Sequence, residues 1–532
     1  MPRTFNLGDL LEIVDEAAPE KLAVIAGAAR LTYRELNDRV DRVAAALKRR
    51  GIARGMTVGV MLYNGPEIVE TLFACYKLGA IAFNINYRYE PGELKHVLQD
   101  AQAAAVIVPS ACIPILKRLP ADLPELQRVI VLYDPGVPQE PGWESFADLQ
   151  AEAVGETDIT SGRSDDDRLL IYTGGTTGAP KGVEWGHRNF FFGAAGGGAL
   201  MPGVEPVTTP EALGERARDG MPMTNLSLLP LIHGAALYGL MSALFGGFPI
   251  VIYTERNFNA EKAWALAEAE GAWTISFAGN AMGVPLLEAF NANPGRWALQ
   301  SLVALSWGGG ALTENIQAQF RSHFPNVMFI NGMGSTESGS IGRGMPTLNG
   351  EGLMRMAPGN HLKVLVDGKR EAAVGEIGVL ARRGPLPNGY WRNPEKTAET
   401  FVTLDGERYV LIGDLARPDP DGNFTFFGRD ASCIDTGGEK VFAEEVDAVM
   451  RTHPAVFDAL AVGAPDARWG QIVVAIVALR ENASITLEAL QAHCRGALAG
   501  YKVPRQMILV DAIKRSPAGK LDYRWAKAQL VS

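Results

Sequence analysis

The strongest chemical signal in the chain is the segment 169–183, LLIYTGGTTGAPKGV. An apolar run leads into Thr173, Gly174, Gly175, Thr176, Thr177 and Gly178, and Lys181 follows. Glycines let backbone N–H groups come close to an anion, threonine hydroxyls add donors, and lysine adds a full positive charge. These residue types in this order form a phosphate cradle. The segment is not a Walker A loop, because Pro180 stands where that motif requires glycine and Gly182 follows the lysine. Taken alone, such a stretch also reads as a flexible surface turn, so the rest of the chain has to decide. No covalent enzyme intermediate is indicated. There is no G-x-S-x-G, and Cys75, Cys112, Cys433 and Cys494 are widely spaced, with no C-x-x-C and no base beside them in sequence.

Five further segments follow in a telling order: 230–234 (PLIHG), 306–312 (SWGGGAL), 331–338 (NGMGSTES), 409–416 (YVLIGDLA) with 428–446 (GRDASCIDTGGEKVFAEEV), and 515–524 (RSPAGKLDYR). Together with 169–183 they resemble the signatures of the adenylate-forming superfamily of acyl-CoA synthetases, adenylation domains and luciferases. Gly174 replaces the serine common in its phosphate-binding motif Y-T-S-G-T-T-G-x-P-K-G-V. The Gly-Gly-Thr-Thr-Gly form resembles bacterial fatty-acyl and steroid-carboxylate CoA ligases, as does Phe83 to Arg88. The resemblance spans roughly residues 8 to 528.

The resemblance implies roles for particular residues. His233 lies near the acyl site, although a lone histidine in an apolar run is as readily structural. Gly309, Gly310 and Ala311 form a wall against which adenine packs. Asn331, Gly332, Met333, Gly334 and Ser335 continue the nucleotide site, with Met333 where the family usually has an aromatic residue. Thr336 donates to the α-phosphate and Glu337 holds Mg²⁺, a hard cation suited to carboxylate and phosphate oxygens. Asp414 accepts from both ribose hydroxyls, and Arg429 contacts the ribose. Asp430 and Ala431 form the hinge, with Ala431 replacing the family's usual Asp or Lys. Gly437, Gly438 and Glu439 face coenzyme A. Lys520 bridges the substrate carboxylate and the α-phosphate. The implied reaction joins a carboxylic acid to coenzyme A through an acyl-AMP, using ATP and Mg²⁺ and releasing pyrophosphate. An apolar pocket lining is compatible with fatty, aryl or steroid acids, and the Gly-Gly-Thr-Thr-Gly and Cys-Ile-Asp-Thr-Gly-Gly-Glu-Lys-Val-Phe forms tilt the acid toward a medium- or long-chain fatty acid or a bulky polycyclic, steroid-like one.

The elements that must position these residues alternate in type. Residues 31–50 carry apolar side chains at helical spacing, as do 67–78, while 57–62 and 105–108 read as buried strands. The alternation returns at 226–231, 249–253 and 302–306. This predicts an α/β fold with parallel sheets flanked by helices. Residues 202–222, rich in Pro, Gly, Thr and charge, read as a surface insertion. From about 359 to 427 short strands with Asp-Gly turns predict a β-rich subdomain, and the resemblance implies that it belongs to an AMP-binding domain 1–428. A compact α+β segment, 429–532, follows, and the resemblance implies that it is a small, mobile domain.

The chain has 532 residues, more than a single ordinary core accommodates. Its net charge of −10 argues against a nucleic-acid partner, so phosphate binding has to be local. The seven histidines form no H-E-x-x-H, no apolar run reaches membrane-spanning length, and the N-terminus carries no signal-like stretch. A cytoplasmic enzyme with reduced thiols is expected, and a homodimer is the default assembly. Two alternatives remain: a relative that delivers the adenylate to a carrier protein or another acceptor, and a non-catalytic nucleotide-binding protein. The presence of Lys520 and Glu337 argues against the second.

Overall fold

The structure is a computed structural model. It describes residues 3–119, 123–173, 180–199, 204–221, 223–308, 312, 314–344, 347–348, 354–356, 361–429, 433–436, 439–466, 469–498, 500–515 and 521–530. The first predicted helix forms at Tyr33–Arg49, with Thr32 and Glu35 exchanging the reciprocal bonds of a capping box and Lys48 and Arg49 in the last turn. The second runs Pro66–Leu78 and stops at Gly79, whose φ of 65° supplies the left-handed cap. All of its residues except Glu67 are buried, because it lies between two sheets and touches a strand of each.

One sheet runs, in spatial order, 339–344, 328–335, 304–307, 274–277, 225–227, 250–252, 22–26 and 29–32. It is parallel except at its two ends. The other runs 389–390, 181–186, 168–173, 81–84, 57–60, 103–109, 128–132 and 144–145. Here only the first two strands are antiparallel to their neighbours. A third, antiparallel sheet contains strands from Thr347–Leu348 to Phe424–Arg429, so the β-rich region begins earlier than 359. The expected Asp-Gly turn appears with positive φ at Asp367 and Gly368 (51° and 65°). A fourth sheet joins Cys433–Thr436, Glu439–Phe442, Val456–Asp466, Gly470–Leu479 and Gln506–Val510. It packs on helices Ala443–Arg451 and Leu487–Arg495 around its own core. Among the described residues no helix is long and apolar enough to cross a membrane.

Two further sequence expectations need correction. The run 226–231 is a strand only over Asn225–Ser227. Beyond it Asn64 takes the backbone bonds, donating to the Leu229 carbonyl at 3.0 Å and accepting from Leu231 N–H at 2.8 Å, which draws the chain out of the sheet. The segment read as a surface insertion contains the helix Pro210–Asp219, capped by Thr209. Its Leu213, Gly214 and Ala217 are buried, and it packs on the helix Leu7–Ala17. The charges of this helix concealed a narrow apolar stripe.

The sandwiched helix carries a fully buried lysine. Lys77 Nζ reaches Glu12 at 2.9 Å and Asn37 at 2.7 Å, and pairs with Asp41. Arg163 bonds Asp9 at 2.8 Å and Glu12 at 2.9 Å. Burial alone would raise the Glu12 carboxyl, but the Lys77 ammonium and the Arg163 guanidinium outweigh it and hold the group at about 2. The folded-state value thus lies below the ordinary 4.5, so its stabilisation is complete above pH 4.5 and is lost as pH falls toward 2. Lys77→Met should lower stability by about 3 kcal/mol at neutral pH, the effect of breaking a buried pair. It should also flatten the acid limb between those two pH values. Urea midpoints across pH test this, and coincident curves for the two proteins would refute it.

Candidate active site

The carboxyl ends of the parallel strands converge on one region. Strand Arg168–Thr173 turns back as Lys181–Gly186, with Thr173 opposite Lys181 in register. The phosphate loop is therefore the connection of a hairpin. Gly174, Gly175, Thr176, Thr177 and Gly178 lie outside the described residues, while Thr173 and Lys181, both half-buried, fix its two ends. His96 Nε2 lies 3.0 Å from the Pro180 carbonyl oxygen, beside the returning end.

Strand Met328–Ser335 carries Asn331, Gly332, Met333, Gly334 and Ser335 and delivers Thr336 and Glu337 to the turn that follows. It pairs in parallel with Ala304–Trp307, Trp307 opposite Asn331, which places the strand before Gly309, Gly310 and Ala311 alongside. Those three residues lie outside the described set. Met333 packs with Ile341 against the core of the β-rich sheet. Gly334 and Gly339 have structural reasons to be glycine. A Cβ on Gly334 would collide with the Gly339 carbonyl, and one on Gly339 (φ 65°) with that of Gly193.

The turn 335–338 is held from several directions. Tyr238 O–H donates to the Ser335 carbonyl at 3.3 Å, Trp185 Nε1 to the Thr336 carbonyl at 3.0 Å, and Arg382 to the Ser338 carbonyl at 2.6 Å. Ser335 N–H donates to Ser338 Oγ at 3.0 Å, and Ser338 N–H to Ser335 Oγ at 3.1 Å. The Tyr390 hydroxyl donates to Glu337 Oε1 at 2.9 Å. Burial brings the Arg382 guanidinium down to about 10, still protonated at neutral pH.

His233 is the cap residue of helix Gly234–Phe245. A Cβ built on Gly234 would lie 3.6 Å from Thr336 Oγ1, so the histidine segment and the Thr336–Glu337 turn come together. Asn84 ties this segment to the phosphate loop. Its amide donates to the carbonyls of Tyr172 (3.1 Å) and Ile232 (2.7 Å) and accepts from Tyr172 N–H (2.7 Å).

Asp414 and Arg429 lie directly opposite each other on antiparallel strands. Asp430 and Ala431 follow, outside the described residues. Thr436 pairs with Glu439 on antiparallel strands; Gly437, Gly438 and Lys520 also lie outside the described residues. The segment entering the lysine loop is placed, however. Arg515, bonded to Asp458 at 2.7 Å, lines a cavity of about 460 Å³ together with Asn64, Arg256 and Asn280. That cavity joins residues that follow strands of both parallel sheets, Asn64 and Tyr253 among them, to Phe457 and Asp458 of the fourth sheet.

Among the described residues no group of three or more His, Cys, Asp or Glu is arranged to hold a metal on its own. A single carboxylate at Glu337 fits Mg²⁺ that arrives with its phosphate ligands, since this ion is usually held by one or two carboxylates plus substrate oxygens. Sequence reasoning missed Asn84, Trp185, Arg382 and Tyr390. The local signals were that Asn84 lies in the Phe83 to Arg88 run noted above, that Trp185 follows the phosphate loop closely and that Tyr390 sits in a Gly-Tyr-Trp run. Asn84→Ala should cost about 2 kcal/mol of stability, since it strands three backbone groups. It should also slow pyrophosphate release. Unchanged urea denaturation would show that the amide bridges nothing of consequence.

The AMP-binding enzyme family model matches residues 11–391, and the AMP-binding enzyme C-terminal domain model matches 445–520. A medium/long-chain-fatty-acid–CoA/3-oxocholest-4-en-26-oate–CoA ligase of Mycolicibacterium smegmatis is 36% identical over 98% of this chain and 96% of its own length. A 3-oxocholest-4-en-26-oate–CoA ligase of Rhodococcus rhodochrous is 34% identical over 98% and 96%. The anthranilate CoA ligase AuaEII, solved in complex with anthranoyl-AMP, superposes with a TM-score of 0.85 at 24% identity, covering 99% of this chain and 98% of that one. Phosphate-loop hairpin, braced Thr-Glu turn and paired Asp414–Arg429 thus occur in a chain that belongs to the AMP-binding enzyme family.

Proposed function

We propose that the chain is an AMP-forming acid–CoA ligase acting on a medium- or long-chain fatty acid or a bulky polycyclic acid such as a steroid side-chain carboxylate. The observation that carries this reading is the Thr336–Glu337 turn, tied through Trp185 to the strand that leaves the phosphate loop. One set of bonds thereby sets the relative position of the groups that would grip the nucleotide. In the first half-reaction the substrate carboxylate attacks the α-phosphorus of ATP, the bond to the β-phosphate oxygen breaks, and pyrophosphate leaves. The loop amides with Lys181 hold the phosphates, Thr336 donates to the α-phosphate, and Glu337 faces the cation. Asp414 and Arg429 hold the ribose. The chemistry that bound Mg²⁺ supplies is neutralisation of phosphate charge. Lys520 reaches in from the C-terminal domain, which begins after Arg429 and pivots at Asp430 and Ala431. In the second half-reaction that domain has turned, and Gly437, Gly438 and Glu439 line the approach of coenzyme A. The thiolate attacks the acyl carbon, the bond to AMP breaks, and AMP departs. Positioning and charge neutralisation are the protein's whole contribution. A cytoplasmic location accords with the buried free thiols Cys75, Cys112 and Cys494.

A panel of carboxylic acids, assayed for pyrophosphate release and for thioester with and without coenzyme A, tests the reading. Medium- and long-chain or steroid acids should give both products. Pyrophosphate release without thioester would instead identify a carrier protein or other acceptor. Lys520→Ala should slow the first half-reaction at least about hundredfold, the scale of losing one group aimed at transition-state charge. It should spare thioester formation from supplied acyl-AMP. Equal loss in both halves would contradict the assigned role.

A further inference from the structure

The two-residue strand Gly389–Tyr390 adds itself to the strand leaving the phosphate loop, Gly389 opposite Glu184 and Tyr390 opposite Val183. Flanking bonds lengthen the attachment: Asn388 N–H donates to the Glu184 carbonyl at 2.7 Å, and Trp391 N–H to that of Gly182 at 2.8 Å. Gly389 holds a φ of 151°, and a Cβ there would run into the Thr397 side chain. The Thr397 hydroxyl accepts from Tyr390 N–H at 2.9 Å and donates to the Asn393 carbonyl at 2.8 Å. The backbone of Tyr390 is thus fixed on both sides, and its ring lies edge-on to Phe401 at 6.5 Å. From this anchored position its hydroxyl donates to Glu337 Oε1 at 2.9 Å.

The end torsion of a glutamate is broad, so a carboxylate without a partner has to be ordered when a cation binds it. A fixed donor on one oxygen removes that freedom beforehand and leaves the second oxygen's lone pairs to other partners. We propose that Tyr390 is a positioning residue for Glu337. It presents the carboxylate in one orientation to the divalent cation that accompanies ATP, and it ties that orientation to the strand bearing Lys181. Phosphate loop and metal-facing acid then share one frame although they lie far apart in sequence. The inference rests on the reading of Glu337 as the acid that faces the metal.

Titration calorimetry tests it with wild type, Tyr390→Phe, Glu337→Gln and the double variant. The titrants are ATP with Mg²⁺, ATP in EDTA, and AMP. Tyr390→Phe should weaken binding of Mg-ATP about tenfold, or ~1.4 kcal/mol. Its AMP affinity, metal-free ATP affinity and melting temperature should match wild type. The double variant should bind no more weakly than Glu337→Gln alone, because the tyrosine acts only through that carboxylate. Wild-type Mg-ATP binding by Tyr390→Phe overturns the proposal. So does an equal loss for Mg-ATP and AMP, the mark of a merely structural prop. If Glu337→Gln keeps the full metal dependence, the reading of Glu337 itself falls, and that outcome is distinguishable from failure of Tyr390 alone.

Discussion

The site depends on the capture of one short turn by distant side chains. Residues 335–338 receive Tyr238 from a helix, Trp185 from the strand after the phosphate loop, Arg382 from the β-rich sheet and Tyr390 from an edge strand. Ordering four residues costs about 1–2 kcal/mol each in backbone entropy. Each bond returns about 1 kcal/mol, more where Arg382 or Glu337 carries charge. The two sums are similar, so the turn keeps its shape only while several of the bonds persist together. That makes the geometry around Thr336 and Glu337 a property of the whole N-terminal assembly rather than of the local loop.

The two parallel sheets meet through asparagines. Asn64 follows one strand of the second sheet and both donates to and accepts from backbone groups across the junction, while Asn84 ends another strand, donates to Ile232 across the junction and exchanges both kinds of bond with Tyr172 of its own sheet. An amide suits this place because it carries donor and acceptor without net charge. An aspartate would lack the donor, and a leucine would leave backbone groups of both sheets unsatisfied where little water reaches them. The joint therefore transmits register: the end of the strand carrying Thr173 and the segment carrying His233 are set against one side chain.

What was legible in the sequence was local. The phosphate loop, the Thr-Glu turn and the helix at Tyr33–Arg49 each express their physics within one short window, through glycine, hydroxyl, charge and apolar spacing. What was not legible acts through backbone carbonyls. The bond from Trp185 to Thr336 uses an oxygen that every residue possesses, so nothing in the identity of residue 336 announces it. Tyr390 was hidden for a related reason. It lies within the sequence window of the β-rich subdomain but pairs with a different sheet. The helix Pro210–Asp219 escaped notice because only Leu213, Gly214 and Ala217 of its residues are buried, and a window average is dominated by its charges.

The sheet that carries the phosphate loop ends, on both sides, in a strand of two residues: Gly389–Tyr390 at one edge and Glu144–Ser145 at the other. A long bare edge presents a row of unpaired amides and carbonyls on which another chain can template itself, and very short outer strands shrink that row. The brief strand that bears Tyr390 thus also bears on solubility. By covering Val183 and Glu184 and then turning away into the helix Pro394–Thr400, it leaves an eight-stranded sheet with little edge for a second copy of the protein to extend.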